Sequence, residues 1–200
     1  MSDFKKTVRK TKDFHPKDAI RIFVVYTLIL IVTIFIFINK DVLSSRLFFS
    51  FHEPIYILLS VIITSIVLLL YSMVLAYYIP SKWIDDTNKS YQKYSLFTLF
   101  YFMFFVVLFE ELLFRGLIQN LIFITFNHAW LAIIITTLLF IGFHTRYFKK
   151  PIMLINIAFP SLVFSWIYFQ THNIFVPFAI HWILNVGMTL GFKYNLIKLK

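Results

Sequence analysis

Phe109-Glu110-Glu111-Leu112-Leu113-Phe114-Arg115-Gly116 places three ionisable side chains inside an apolar run that extends from Ser95 to Phe126. On the mildest scale one ionised side chain at the centre of a bilayer costs about 2.5 kcal/mol, so such a cluster is sustainable only where it faces a protein interior and pairs. Glu111 and Arg115 are four residues apart and share a helix face, which predicts an ion pair. Glu110 is rotated by about 100° from Glu111 and looks elsewhere. It is the carboxylate left free to take a proton from water.

Three more polar side chains fall within or at the ends of apolar runs. His144 follows Phe140-Ile141-Gly142-Phe143, and His181 precedes Asn185 by four positions, on the same face of its helix. One uncommitted carboxylate, two imidazoles and an amide on three different spans are the parts that water-activated acyl hydrolysis needs: groups that remove a proton from water and groups that hold an oxyanion. Measured by helical rise, their depths converge in the half of the bilayer nearer the chain termini. Asn156 is expected to bond across helices, and His128 and His172 to sit at turns.

The spans that carry these residues dominate the composition. Of 200 residues 60% are hydrophobic and 20% aromatic, and the mean hydropathy is +0.81, against about 45–50% apolar residues in soluble proteins. This predicts an integral membrane protein in contact with the lipid bilayer. Cysteine is absent, which excludes disulfides, thiolate metal ligands and a cysteine nucleophile. The net charge of +10 is not a nucleic-acid footprint, because the basic residues lie in short segments between spans. Apart from Lys40, Arg46 and Arg115, every Lys and Arg falls in the N-terminal arm, in 80–94, in 146–150 or in the tail. Those segments share one side if there are six spans, and the bias toward the cytoplasmic face puts both termini inside.

The predicted fold class is therefore an all-α membrane protein, a bundle of about six transmembrane helices. Residues 1–21 form a basic cytoplasmic arm attracted to anionic lipid, and 22–94 hold two accessory spans and a polar loop. Residues 95–192 form a four-helix core, and 193–200 a basic tail. The first span, Ile22 to Ile38, is long for a signal peptide and no cleavage site follows it, so it reads as a retained anchor. A short loop, Asn39 to Glu53, leads to a span from Pro54 to Ile79. The run from Ser95 to Phe126 exceeds the hydrocarbon thickness, so it must tilt, bend or protrude, and a break is expected near the Glu pair. Spans at about Ala129 to His144, Pro151 to Phe169 with a kink at Pro160, and Ile174 to Phe192 complete the set.

Taken in order, Glu110-Glu111-Leu112-Leu113-Phe114-Arg115, Phe140 to His144 and His181 to Asn185 resemble the motifs of the CPBP family of intramembrane proteases, also called the CAAX-protease and bacteriocin-processing or Abi family. The resemblance covers Ser95 to Phe192 and implies a helical bundle with a cytoplasm-open cavity. It implies that Glu110 and His144 activate water, that His181 and Asn185 hold the oxyanion, and that Glu111, Arg115 and Phe140 support the site. On cofactors it implies either none or Zn²⁺ held by Glu110, His144 and His181 with an open position, as a metalloendopeptidase would use. The implied substrate is a membrane-embedded or membrane-associated peptide at the bacterial plasma membrane, in bacteriocin processing or self-immunity. Having about six spans where the eukaryotic relative has eight, the chain does not imply prenylated substrates. A different class of function, a non-catalytic immunity or sensor-binding protein that keeps the motifs as structure, predicts that replacing Glu110 by Gln leaves protection intact.

Overall fold

A computed structural model describes residues 15–78, 93–194 and 196 of the chain. Residues 1–14 of the basic arm, 79–92 of the polar loop, and 195 and 197–200 of the tail lie outside the described residues. Among the described residues the fold is all-α, with six helices: α1 Pro16–Asn39, α2 Pro54–Tyr78, α3 Leu96–Phe126, α4 Ala129–Phe143, α5 Pro151–Thr171 and α6 Phe175–Lys193. Apolar runs of this length fold as helices because a bilayer has no water to satisfy backbone N–H and C=O groups.

Two boundaries differ from the sequence reading. Residues 16–21, expected in the arm, are the first turns of α1: Pro16 occupies the opening position, where its missing N–H has no intrahelical acceptor, and Asp18 faces the positive end of the helix dipole. Five helices are long and apolar enough to cross a membrane, and the sixth, α4, has only 15 residues. At 1.5 Å per residue it rises about 22 Å, short of the roughly 30 Å hydrocarbon core. Its end is set by His144, which leaves helical backbone at φ −94°, ψ 45°.

Helices α1 and α2 bury 17% of their most apolar windows, whereas α5 and α6 bury 39% and 44%. The first two therefore present most of their surface outward, and the polar machinery belongs to α3–α6. The segment between α1 and α2 is more than a link. It turns back at Asp41 (φ 56°) and buries Leu43 and Phe48 against Leu30 and Ile34. It also pairs with the α5–α6 turn, Ser50 N donating to His172 O at 3.0 Å and Ile174 N to Phe48 O at 2.9 Å. A Cβ added at Gly116 would lie 3.1 Å from the Phe48 ring, so glycine there permits this approach.

The break expected in α3 does not occur. The rod is α-helical over Leu96–Glu111, π-helical over Leu112–Gln119 and α-helical again over Asn120–Phe126. The i→i+5 turns of a π segment rotate the chain less per residue than an α-helix does. Residues four apart then stay near one face, and Glu111, Arg115 and Gln119 all point inward. Pro160 lies inside α5, which runs from Pro151 to Thr171.

Candidate active site

The inward face of α3 carries a chain of polar contacts to α5 and α6. Arg115 and Glu111 are both fully buried, and Arg115 Nη1 donates to Glu111 Oε1 at 3.0 Å. Arg115 Nη2 donates to Ser161 O and Ser161 Oγ on α5, at 2.9 and 2.8 Å. The guanidinium carbon lies 4.9 Å from the centre of the Phe140 ring and 5.4 Å from that of Phe164, so two aromatic rings replace the water the cation has lost. Further along, Gln119 Nε2 donates to Ser165 O at 2.9 Å, and Asn120 Nδ2 to the Tyr168 hydroxyl at 2.8 Å. That hydroxyl in turn donates to Leu47 O in the segment after α1.

Glu111 has a second partner. His181 Nδ1, on α6, is 2.7 Å from Glu111 Oε1. A carboxylate only accepts, so Nδ1 carries the proton and Nε2 is turned to other uses. The ring stacks on Phe164 with 4.7 Å between centres and 24° between planes. Glu111 and Phe164 thus fix both the tautomer and the tilt of His181.

Glu110 turns the other way. With its side chain 17% exposed, Oε2 lies 3.8 Å from His181 Nε2, too far for a direct hydrogen bond and near enough for one water to contact both. A cavity of about 560 Å³ opens at this point, and Glu110, His144, His181 and Asn185 all line it, with Phe140 in its wall. His144 Nδ1 is 2.8 Å from Phe140 O. A carbonyl cannot donate, so Nδ1–H is the donor and the neutral ring keeps the lone pair on Nε2. Phe140 therefore meets the Arg115 cation with its ring and orients His144 with its carbonyl. Thr145, Arg146, Tyr147 and Phe192 also line the cavity, which extends toward the end of the bundle where α1 begins and α6 ends.

Among the described residues no group of three or more His, Asp or Glu side chains is gathered as a metal site. Glu110, His144 and His181 share a cavity without closing into the two-histidine, one-carboxylate set considered for Zn²⁺. The other polar residues singled out divide. His128 caps α4, its Nδ1 accepting from Leu131 N at 3.1 Å, and His172 sits at a left-handed turn (φ 45°). Asn156 makes no bond across helices: its Oδ1 is buried without a partner among the described residues. Sequence reasoning passed over Gln119, Ser161, Phe164 and Tyr168. Gln119 continues the four-residue spacing of Glu111 and Arg115, and Ser161 and Ser165 repeat it on α5, a signal that was available in the sequence.

Comparison with known proteins bears on the same half of the chain. A protein-family model described as type II CAAX prenyl endopeptidase Rce1-like matches residues 92–187. The uncharacterized protein YpbD of Bacillus subtilis (strain 168) is 26% identical over 137 residues, 67% of this chain and 68% of YpbD. No solved structure matches the chain. The stretch 92–187 carries all three motifs, from Glu110 to Asn185, and over it the chain is similar to the Rce1-like, or CPBP, family of intramembrane proteases.

Proposed function

We propose that this multi-pass membrane protein is an endopeptidase of the bacterial plasma membrane, with both termini cytoplasmic, that hydrolyses a peptide bond in a membrane-associated peptide or protein. Residues 95–192 carry the chemistry, and the two preceding spans enclose it. Glu110 takes the proton of a water that contacts His181 and is oriented by the His144 Nε2 lone pair, and the water oxygen attacks the scissile carbonyl. The oxyanion that forms accepts hydrogen bonds from Asn185 and from His181 Nε2. With Nδ1–H committed to Glu111, Nε2 donates only when the ring holds its second proton, and two carboxylates then face one guanidinium and one imidazolium. As the tetrahedral intermediate collapses, the C–N bond breaks and Glu110 returns the proton to the departing amine. Glu111 and Arg115 are positioning residues, which hold His181 without touching substrate.

The observation that carries this reading is that Glu110 on α3, His144 at the end of α4, and His181 and Asn185 on α6 line one cavity. A role in bacteriocin processing or self-immunity accords with the short bacterial form. The test compares protein termini in membranes of cells carrying wild-type protein, Glu110→Gln or His144→Ala. New termini appear with wild type and vanish in both variants, which insert at wild-type levels. Unchanged termini in both variants would overturn the mechanism, and protection retained by Glu110→Gln would point to a non-catalytic immunity protein.

A further inference from the structure

Buried amides in a membrane protein bond across helices, because nothing else there satisfies them. Gln119, Asn120 and Asn173 follow the rule through their amide nitrogens, donating respectively to Ser165 O, to Tyr168 Oη and Gly116 O, and to Ser50 O, although the carboxamide oxygens of Gln119 and Asn120 accept nothing among the described residues. Asn156 does not. It stands on α5 in the wall of the cavity that holds Glu110, His144, His181 and Asn185, and its buried carboxamide oxygen has no partner among the described residues. Leaving such a group unmade costs about 1–3 kcal/mol. Four residues on, Pro160 lines the same cavity. Proline has no N–H, so the Asn156 backbone carbonyl lacks its ordinary helical donor as well. At Asn156, α5 therefore holds a carboxamide oxygen without a partner among the described residues, beside a backbone carbonyl that has lost its i+4 donor.

The substrate supplies a reason for them. To be attacked, a peptide bond must leave helical structure, and each of its flanking N–H and C=O groups then needs a partner among the few polar side chains of the cavity wall. Glu110, His144, His181 and Asn185 are engaged with the water and the oxyanion. A carboxamide, with two donors and an acceptor, is complementary to another peptide group.

We propose that Asn156 binds the substrate main chain, pairing its carboxamide with a peptide group beside the scissile bond so that the chain lies extended across the cavity. This rests on the hydrolytic reading above. It makes α5 a recognition element for backbone rather than for side chains, so the enzyme accepts varied sequences that can unwind at the cut.

The test uses full-length protein in liposomes and a synthetic peptide spanning a cut site found by the terminus comparison. In a series of such peptides each backbone N–H near the scissile bond is replaced in turn by an ester oxygen. Wild type loses about tenfold in kcat/KM at one ester position. Asn156→Ala is slower than wild type on the all-amide peptide, mostly through KM, and is indifferent to the ester at that position. Asn156→Gln, which keeps the carboxamide, recovers part of the rate and of the ester sensitivity, and this separates binding from a folding defect. Equal rates for Asn156→Ala and wild type, or equal sensitivity of both to every ester, would overturn the proposal while leaving hydrolysis intact. Absence of any Glu110-dependent cleavage by wild type would remove the hydrolytic reading, and this proposal with it.

Discussion

Glu110 and Glu111 are neighbours in the chain and opposites in the fold. Glu111 is wholly buried and accepts from Arg115 and His181, with a serine, a glutamine and two aromatic rings completing the same face of α3 and α5. Glu110, 17% exposed, reaches no partner closer than 3.8 Å among the described residues and borders an open cavity with His144, Asn185 and Asn156. One side of the helix joins its polar groups to one another across the bundle, and the other presents them to a cavity. Satisfied buried networks rigidify, whereas groups held without a partner in a cavity are available to a ligand. A protein that must do polar chemistry inside a bilayer needs both sides, the first to keep the second in place.

The contrast can be broken from either side, and the largest effect is expected from the open one. Glu110→Gln should lower cleavage by about 10²–10⁴-fold, the usual range for losing a general base. Because Glu110 supports nothing else, the unfolding midpoint in detergent should stay within about 2 °C of wild type. A large loss of stability would mean that the two carboxylates are not distinct in role. Arg115→Ala should do the reverse, costing about 3–5 kcal/mol of stability in a mixed-micelle unfolding assay by leaving the buried Glu111 charge with His181 as its one partner among the described residues. Adding Glu111→Gln to it should restore part of that stability but not activity, since His181 would still lose its carboxylate. Full activity in the double variant would show that Glu111 does not position the imidazole.

Smaller effects sharpen the picture. Ser161→Ala removes one of the two α5 bonds to Arg115 and should cost about 1 kcal/mol by the same assay, with cleavage near wild type. The glycines offer a matched pair. Gly116→Ala would set a methyl 3.1 Å from the buried Phe48 ring, and should destabilise by about 1 kcal/mol. Gly142→Ala meets nothing within 4 Å, and should stabilise α4 by about 0.5–1 kcal/mol through lower chain entropy. If the order of the two were reversed, the segment after α1 would not be packed against α3 as described.

Much of this could be read from residue spacing. The apolar runs marked the helices to within a few residues, with α1 beginning earlier because Pro16 can open a helix, and α4 ending at His144 as expected. Four-residue spacing announced the Glu111–Arg115 pair, and the same rule extended to Gln119, Ser161 and Ser165 would have disclosed more of that face. The π segment was not legible: it depends on how α3 packs against its neighbours, and in place of the expected break the rod continues through wider turns. Nor was the lack of a partner for Asn156, since a membrane asparagine ordinarily finds one.

By itself the sequence determined the membrane class, the order of the spans and the angle between Glu110 and Glu111, because the pitch of a helix relates positions along one rod with no help from the rest of the chain. Only the tertiary structure decided that Glu111 holds His181, 70 positions away, that Phe140 serves Arg115 and His144 together, and that Glu110 shares its cavity with Asn156. The rotation and offset of one helix against another come from side chains meeting across the bundle, and no periodicity within a single helix encodes them.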